Sequence, residues 1–279
     1  MPTNHILITK ASGEKVIFDP KKLIKSLSHS GANGDTINSI LAEIISELHE
    51  ESTTKEIYKK AFKLLAKTSR SFAAKYKLRK AIQELGPTGY PFERYVAEIL
   101  KYQGYSVNVG VTIKGHCIEH EVDVMALKGN TLLIVECKFH ANPNHKSDVK
   151  VPLYVHSRYN DMVKALRKDP KNKGIKYQGW IVNSTRFTAD AAQYGSCVGL
   201  RLIGWDYPAK GSLKEMIDLS HLHPVTSLTT LTKAEKQRLL DKKVILCREI
   251  CEDELLLSEI GIKSNRIGKI RREAEDLCT

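Results

Sequence analysis

The stretch Glu121-Val-Asp123-Val-Met-Ala-Leu-Lys128-Gly-Asn130-Thr-Leu-Leu-Ile134-Val-Glu136-Cys-Lys138 decides the fold. Gly129-Asn130 separates two apolar runs, and this dipeptide is a two-residue hairpin signal because both residues tolerate positive φ. Strands are expected over roughly Cys117 to Leu127 and Thr131 to Phe139. With Gly129 and Asn130 as the loop, Asp123 is set opposite Glu136 and Glu121 opposite Lys138. Facing Cβ atoms in such pairs lie roughly 4.5 to 5.5 Å apart. Glu136 and Lys138 share a face by the period-2 rule. Leu132 and Ile134 precede them on that face while Leu133 and Val135 fill the other, so the strand reads as buried on both sides where it begins.

Charged residues on a hairpin usually form a solvated face, but a strand with two apolar faces argues against that reading here. Carboxylates directly opposite each other destabilise a ladder unless a cation or proton intervenes. Their hard oxygens are the ligands Mg²⁺ prefers, commonly with waters retained. Two acids and a lysine at this spacing suit phosphodiester hydrolysis. A cation offsets charge in the transition state, and a lysine orients or activates the nucleophile.

Outward from the hairpin, Phe92, Val96, Ile99 and Leu100 line one face of a helix that Gly104 ends before a strand at Tyr105 to Val111. Downstream, a polar loop at Asn142 to Lys146 leads to a helix near Tyr159 to Leu166. A strand at Trp180 to Asn183, a helix at Thr188 to Tyr194 and a strand at Val198 to Ile203 follow. Strands interleaved with helices argue for an α/β core over residues 87–210.

Before this core the chain changes character. Short strands are expected around His5 to Thr9 and Lys15 to Phe18, and Asp19-Pro20 reads as a helix start with Asp as N-cap. Helical stripes follow at Leu23 to Leu27, Ile37 to Leu48 and Ile57 to Leu65, and a fourth helix at Phe72 to Leu85 ends at Gly86-Pro87. Residues 1–86 thus form one mainly helical unit. Residues 211–228 read as a linker with one weak helix, and 229–279 as a helical domain opened by the capping box Thr232-Lys-Ala-Glu235.

Composition agrees with several domains: 279 residues, 42% hydrophobic and 27% charged, with a net charge of +12. The excess is localised, with 15 basic against nine acidic residues in 1–86 and 17 against 11 in 87–210. It points toward anionic partners. No apolar run approaches the roughly 20 residues that span a bilayer. Met1 to Lys10 lacks the features of a secretory signal, and six scattered cysteines fit reduced thiols, so no membrane and a cytoplasmic location are expected. His116, Cys117 and His120, or Cys247 and Cys251, do not make a four-ligand zinc pattern. No G-x-x-x-x-G-K-[ST] or G-x-S-x-G element is present.

Glu121-Val-Asp123 with Ile134-Val-Glu136-Cys-Lys138 resembles the D-x(n)-E-x-K signature of restriction-endonuclease-like nucleases. Pro91-Phe-Glu93-Arg-Tyr-Val-Ala-Glu before it and Trp180-Ile-Val-Asn-Ser-Thr-Arg-Phe-Thr-Ala-Asp190 after it are similar to the Mrr-like catalytic domain of that superfamily. The resemblance covers about residues 87–207. It implies an α/β fold, a restriction-endonuclease-like mixed sheet flanked by helices, and an endodeoxyribonuclease acting on DNA with Mg²⁺ or Mn²⁺, as in restriction or DNA defence. Asp123 and Glu136 would be metal ligands with the Cys137 carbonyl as a third, Lys138 the catalytic lysine, and Glu93 an additional catalytic acid, unless Glu93 is only an exposed helix carboxylate. A paired double-strand cut would need a homodimer.

Residues 6 to 85 resemble an ATP-cone, a nucleotide-sensing module, through Ile8-Thr-Lys10-Ala-Ser-Gly13, Val16-Ile-Phe18-Asp-Pro-Lys-Lys22-Leu, Thr54-Lys-Glu-Ile57-Tyr58 and Ala74-Lys-Tyr76-Lys-Leu-Arg79. Ala11 and Ser12 stand where Arg and Asp are common. The resemblance implies that ATP or dATP binds as a regulator, with Lys10 and Lys22 at its phosphates and Thr54 and Tyr58 nearby. A small basic helical domain that binds DNA or packs on the nuclease is the alternative for this segment. For the whole chain, the alternative is a non-cleaving, nucleotide-responsive DNA-binding regulator that keeps the nuclease fold as a scaffold. In the tail, Glu259 to Ile270 faintly resembles a helix-hairpin-helix, with Lys263 at its second glycine position.

Overall fold

The computed structural model describes residues 6–10 and 12–279. His5 of the expected first strand and Ala11 of the ATP-cone-like stretch lie outside them. Strand β1 (Leu7–Thr9) pairs antiparallel with β2 (Lys15–Ile17). Helix α1 (Pro20–Ser28) starts as its sequence dictates: the Asp19 carboxylate accepts the Lys21 N–H and Pro20 occupies the first turn. Helices α2 (Gly34–Glu47) and α3 (Thr54–Thr68) follow, α3 opened by a Thr53–Glu56 capping box. They close a small core around Leu27, Ile44 and Leu65. The expected helix Phe72 to Leu85 is instead two, α4 (Arg70–Tyr76) and α5 (Leu78–Gln83), broken at Lys77, whose ammonium turns to Glu84 and the Thr226 carbonyl.

Helix α6 (Tyr90–Tyr102) leads into the central sheet. Strands β3 (Ser106–Lys114), β4 (Glu119–Lys128) and β5 (Thr131–Lys138) form an antiparallel meander. Lys128 pairs with Thr131 across Gly129-Asn130, giving the two-residue hairpin and the register read from the sequence, as Val124 opposite Val135 shows. The short β6 (Lys146–Ser147) precedes α7 (Lys150–Leu166), which carries the chain to β7 (Lys176–Asn183), parallel to β5. Next come β8 (Arg186–Phe187), paired with β6, then α8 (Ala189–Cys197) and β9 (Arg201–Ile203), parallel to β7. The main sheet has the order β3-β4-β5-β7-β9, a mixed sheet flanked by helices. Leu133, Val135 and Cys137 pack toward α6, whereas Ile134 and Ile181 pack toward α7 and α8.

Several boundaries differ from the sequence reading: β3 runs on to Lys114, β7 begins at Lys176 and α8 ends at Cys197. Helix α7 begins nine residues before Tyr159, because Pro152 sits in its first turn, where a missing N–H costs no intrahelical bond. Residues 198–200 belong to a turn at Gly199 rather than to the last strand.

Residues 211–228 do not hang free as a linker. Helix α9 (Leu213–Ser220) buries Leu213 and Ile217 in the main core, and the Tyr95 hydroxyl donates to the Leu222 carbonyl at 2.7 Å. Beyond it α10 (Lys233–Asp241), α11 (Cys247–Glu252), α12 (Leu256–Glu259) and α13 (Ser264–Cys278) complete the same core. The Thr232–Glu235 capping box forms as expected. Buried Glu273 accepts the main-chain and hydroxyl hydrogens of both Thr229 and Thr230. No described helix is long and apolar enough to cross a membrane.

Candidate active site

The β4–β5 ladder runs from the hairpin up to Val124–Val135 and stops there. Beyond it β4 leaves β5, and neither of the expected pairs, Asp123 with Glu136 and Glu121 with Lys138, is made, while β4 stays paired with β3, Glu121 opposite Thr112. The departure is a bend at Asp123. Val124 joins the α6 core whereas Val122, of the same parity, joins the cluster under α7. Asp123 fills the opening: its Oδ2 accepts the Cys137 N–H at 2.6 Å, the bond that strand pairing no longer supplies.

Glu136 stands close enough to Asp123 to act on its charge. Its Oε1 accepts from Lys138 Nζ at 2.7 Å and its Oε2 from Arg158 Nη1 at 2.6 Å. Arg158 also donates to the Glu121 carbonyl and sits 5.3 Å from the Tyr154 ring centroid. Arg158 lies on α7, beyond the motif, and sequence reading missed it. Cys137 sends its thiol into the α6 core, so the group it offers the site is main chain.

Glu93 stands in the first turn of α6, half-buried, with Asp123, Glu121 and Glu136 close enough to act on its charge. Burial first, then these three carboxylates, push it up to about 7 against the pull of Lys138. Asp123 is pushed up to about 6 by burial and Glu136, partly countered by the Cys137 N–H, Lys138 and Arg158. Glu93, Asp123, Glu136 and Lys138 are thus brought together, and Glu93 is not a plain solvated helix carboxylate. Neighbouring carboxyls that retain protons near neutrality mark a place where a cation would relieve repulsion.

The donor set fits a hard divalent ion. Among the described residues no three His, Cys, Asp or Glu side chains surround one point. Mg²⁺ needs no such cage, because one or two carboxylates, waters and substrate phosphate commonly complete its shell.

The end of β5 is anchored by buried polar residues. Ser184 N–H donates to the Lys138 carbonyl at 2.9 Å, and Asn183 Nδ2 donates to Ser147 Oγ at 2.9 Å. His140 N–H donates to Ser184 Oγ, and its ring packs on His145 with centroids 3.8 Å apart. Burial, His145 and Lys138 lower His140 to about 4. Away from the site, His120 Nε2 donates to Asp161 Oδ2 at 2.8 Å, and Asp161 also accepts the Cys117 N–H. The His116–His120 segment is therefore clamped by a carboxylate.

In the N-terminal unit, Lys10, Lys22, Thr54 and Tyr58 line one cavity of about 270 Å³ between the β1–β2 hairpin, α1 and α3. Lys10 Nζ donates to Glu14 at 2.8 Å. The Tyr58 and Tyr76 rings stack at its wall, 4.9 Å between centroids, and burial raises both hydroxyls, Tyr76 to about 12.

A mixed sheet whose splayed hairpin end carries Asp, Glu and Lys defines a domain of the restriction endonuclease type. The family model described as "Restriction endonuclease" matches residues 86–206, and the model described as "AF1548-like, C-terminal" matches 223–278. An uncharacterized protein of Archaeoglobus fulgidus is 29% identical over 181 residues, covering 64% of this chain and 98% of that protein. The crystal structure of the protein of unknown function AF1548 superposes with a TM-score of 0.55 at 30% identity, covering 67% of this chain and 97% of that one. The chain belongs to the AF1548 family.

Proposed function

We propose that the protein is a metal-dependent DNA endonuclease whose activity responds to ATP or dATP bound by an ATP-cone in residues 1–86. The observation that carries the nuclease reading is the meeting of Asp123, Glu136 and Lys138 at the point where β4 leaves β5, with Glu93 above them. Residues 87–210 would be the catalytic unit and 211–279 its helical extension.

Asp123 and Glu136, with the Cys137 carbonyl, would hold Mg²⁺ or Mn²⁺. When bound, the ion supplies charge neutralisation at the phosphate and a lowered pKa for a water. Lys138 places an ammonium beside the reacting phosphate, where it orients the attacking water and offsets charge developing on the phosphoryl oxygens. Arg158 fixes the Glu136 carboxylate and keeps its second oxygen in one orientation. Glu93, with its raised proton affinity, is suited to take or give a proton at neutral pH. The basic surface would hold the DNA backbone.

One observation favours the second reading, a DNA-binding regulator that does not cleave: both Glu136 oxygens are already engaged by Lys138 and Arg158. A plasmid-nicking assay with and without Mg²⁺ separates the two. Metal-dependent nicking that Lys138→Ala abolishes supports the endonuclease, and DNA binding without any nicking supports the regulator. Plasmid nicked once per event fits a monomer, whereas linear product formed in one event calls for a homodimer.

A further inference from the structure

A second, larger cavity of about 620 Å³ opens where the N-terminal unit meets the C-terminal helices. Lys59, Lys63, Arg70, Lys77, Lys80 and Lys236 line it, and among the described residues no carboxylate does. Its apolar wall is Phe62 and Ala66 of α3 facing Leu228 and Leu231. Thr229 completes that wall, and Arg70 Nη1 reaches its hydroxyl at 3.5 Å. The wall is built rather than fortuitous, since Glu273 fixes Thr229 and Thr230 through four hydrogen bonds.

Charge at the base of the cavity is not balanced from within. Lys236 is only 7% exposed, and its Nζ donates to the Thr226 carbonyl at 2.7 Å. The acid it contacts, Glu84, lies 3.6 Å away and also serves Lys77 at 2.9 Å and Lys80 at 3.9 Å, while Glu273 acts on its charge from behind the wall. Three ammonium groups therefore share one carboxylate. Burial and then Lys77 lower Lys236 to about 7. Buried charges are normally paired, and an unmatched cluster of one sign is stabilised by a bound counter-ion.

We propose that this cavity binds a small polyanion with linked phosphates and an attached ring, a ligand of the nucleoside polyphosphate class, independently of the cavity beside Lys10 and Lys22. The phosphates would lie over Lys59, Lys63, Lys77, Lys80 and Lys236, and the ring against Phe62 and Leu228. The volume is of small-ligand size. Because α3 to α5 form one wall and residues 228–236 the other, the ligand would hold the N-terminal unit against the C-terminal helices.

The test titrates the full-length chain with ATP, with inorganic triphosphate and with a 20-mer single strand, followed by calorimetry. The proteins are wild type, Lys22→Ala and the double variant Lys59→Glu/Lys63→Glu, whose two lysines are exposed. We expect ATP or triphosphate binding that persists in Lys22→Ala and weakens at least about tenfold in the double variant, with circular dichroism unchanged. Triphosphate matching ATP would assign the affinity to the phosphates alone, and tighter ATP would assign part of it to the ring. The proposal is overturned if Lys22→Ala removes all small-ligand binding, if the double variant binds as wild type does, or if only the 20-mer binds. ATP binding that Lys22→Ala leaves wholly unchanged would count against the ATP-cone reading and leave this cavity intact.

Discussion

Arg158 and Lys138 grip the Glu136 carboxylate from opposite sides, at 2.6 and 2.7 Å, although one comes from a helix and the other from the same strand. The carboxylate is held rigid and partly neutralised. Arg158 therefore works both for and against a metal: it orients a ligand oxygen and competes for it. For Arg158→Ala we expect the Mg²⁺ concentration at half-maximal nicking to fall and the maximal rate to drop at least about tenfold. A Mg²⁺ titration of plasmid nicking reads both. Arg158→Lys should not restore the rate, because an ammonium lacks the planar fork that sets Nη1 on Glu136 and Nη2 on the Glu121 carbonyl.

This relationship marks how far the sequence was legible. Hairpin arithmetic from Gly129-Asn130 gave the register as far as Val124 opposite Val135, because a two-residue loop leaves one register. It failed at the next pair, where β4 leaves β5 and neither Asp123–Glu136 nor Glu121–Lys138 is paired; a bend set by packing against α6 and α7 has no local signature. Arg158 was invisible for the same reason, since it arrives through tertiary packing. The start of α7 was hidden by Pro152, which is a breaker only beyond a first turn. Residues 211–228 looked like a linker because their apolar residues follow no long period. Their burial comes from Tyr95 and the C-terminal helices. In the N-terminal unit, by contrast, Lys10, Lys22, Thr54 and Tyr58 were named from separate motifs and line one cavity.

Asp123→Asn isolates charge from structure. The amide oxygen can still accept the Cys137 N–H, so the bend in β4 should survive. The negative charge offered to a cation is lost. Nicking should fall about 100-fold or more, with a melting temperature equal to or above that of wild type, because an acid already pushed up to about 6 is removed. Wild-type activity in Asp123→Asn would remove this residue from the metal site.

His223 should give the protein a steep acid limb. Burial, Lys75 and His221 lower it to about 3, and among the described residues its buried Nδ1 has no partner. Below the ordinary histidine value of 6.5 the unfolded chain takes a proton that the folded chain refuses, so stability falls as pH falls. The loss is up to about 1.4 kcal/mol per pH unit between about 6.5 and about 3. Urea midpoints measured from pH 7 to pH 4 should show this slope, and His223→Gln should flatten it by close to one proton.

Gly115 leaves no room for a side chain. A Cβ there would strike the Asp161 carboxylate and stand 2.6 Å from the Ile118 carbonyl, which already accepts the Gly115 N–H. Gly115→Ala should therefore cost about 1–3 kcal/mol by overpacking, read as a lower urea midpoint. Because Asp161 lies one helix turn from Arg158, which holds Glu136, displacing it should also lower the nicking rate of the folded variant.

Lys22 stands between two cavities. It lines the one shared with Lys10, Thr54 and Tyr58, and also a basic groove of about 440 Å³ where Lys25 and Arg79 face Arg186 of the nuclease domain. Arg79 in turn donates to the Pro143 carbonyl at 2.6 Å, in the loop that follows Lys138. A triphosphate held by Lys22 would take its charge out of the groove, and a ligand shifts an activity only through such differential contact. Lys22→Ala should weaken ATP binding in the Lys10 cavity about tenfold or more, measured by calorimetry. ATP should change the nicking rate of wild type and leave that of Lys22→Ala unchanged, while Arg79→Ala should keep ATP binding and lose the response. A wild-type rate indifferent to saturating ATP would leave the N-terminal unit without a regulatory role.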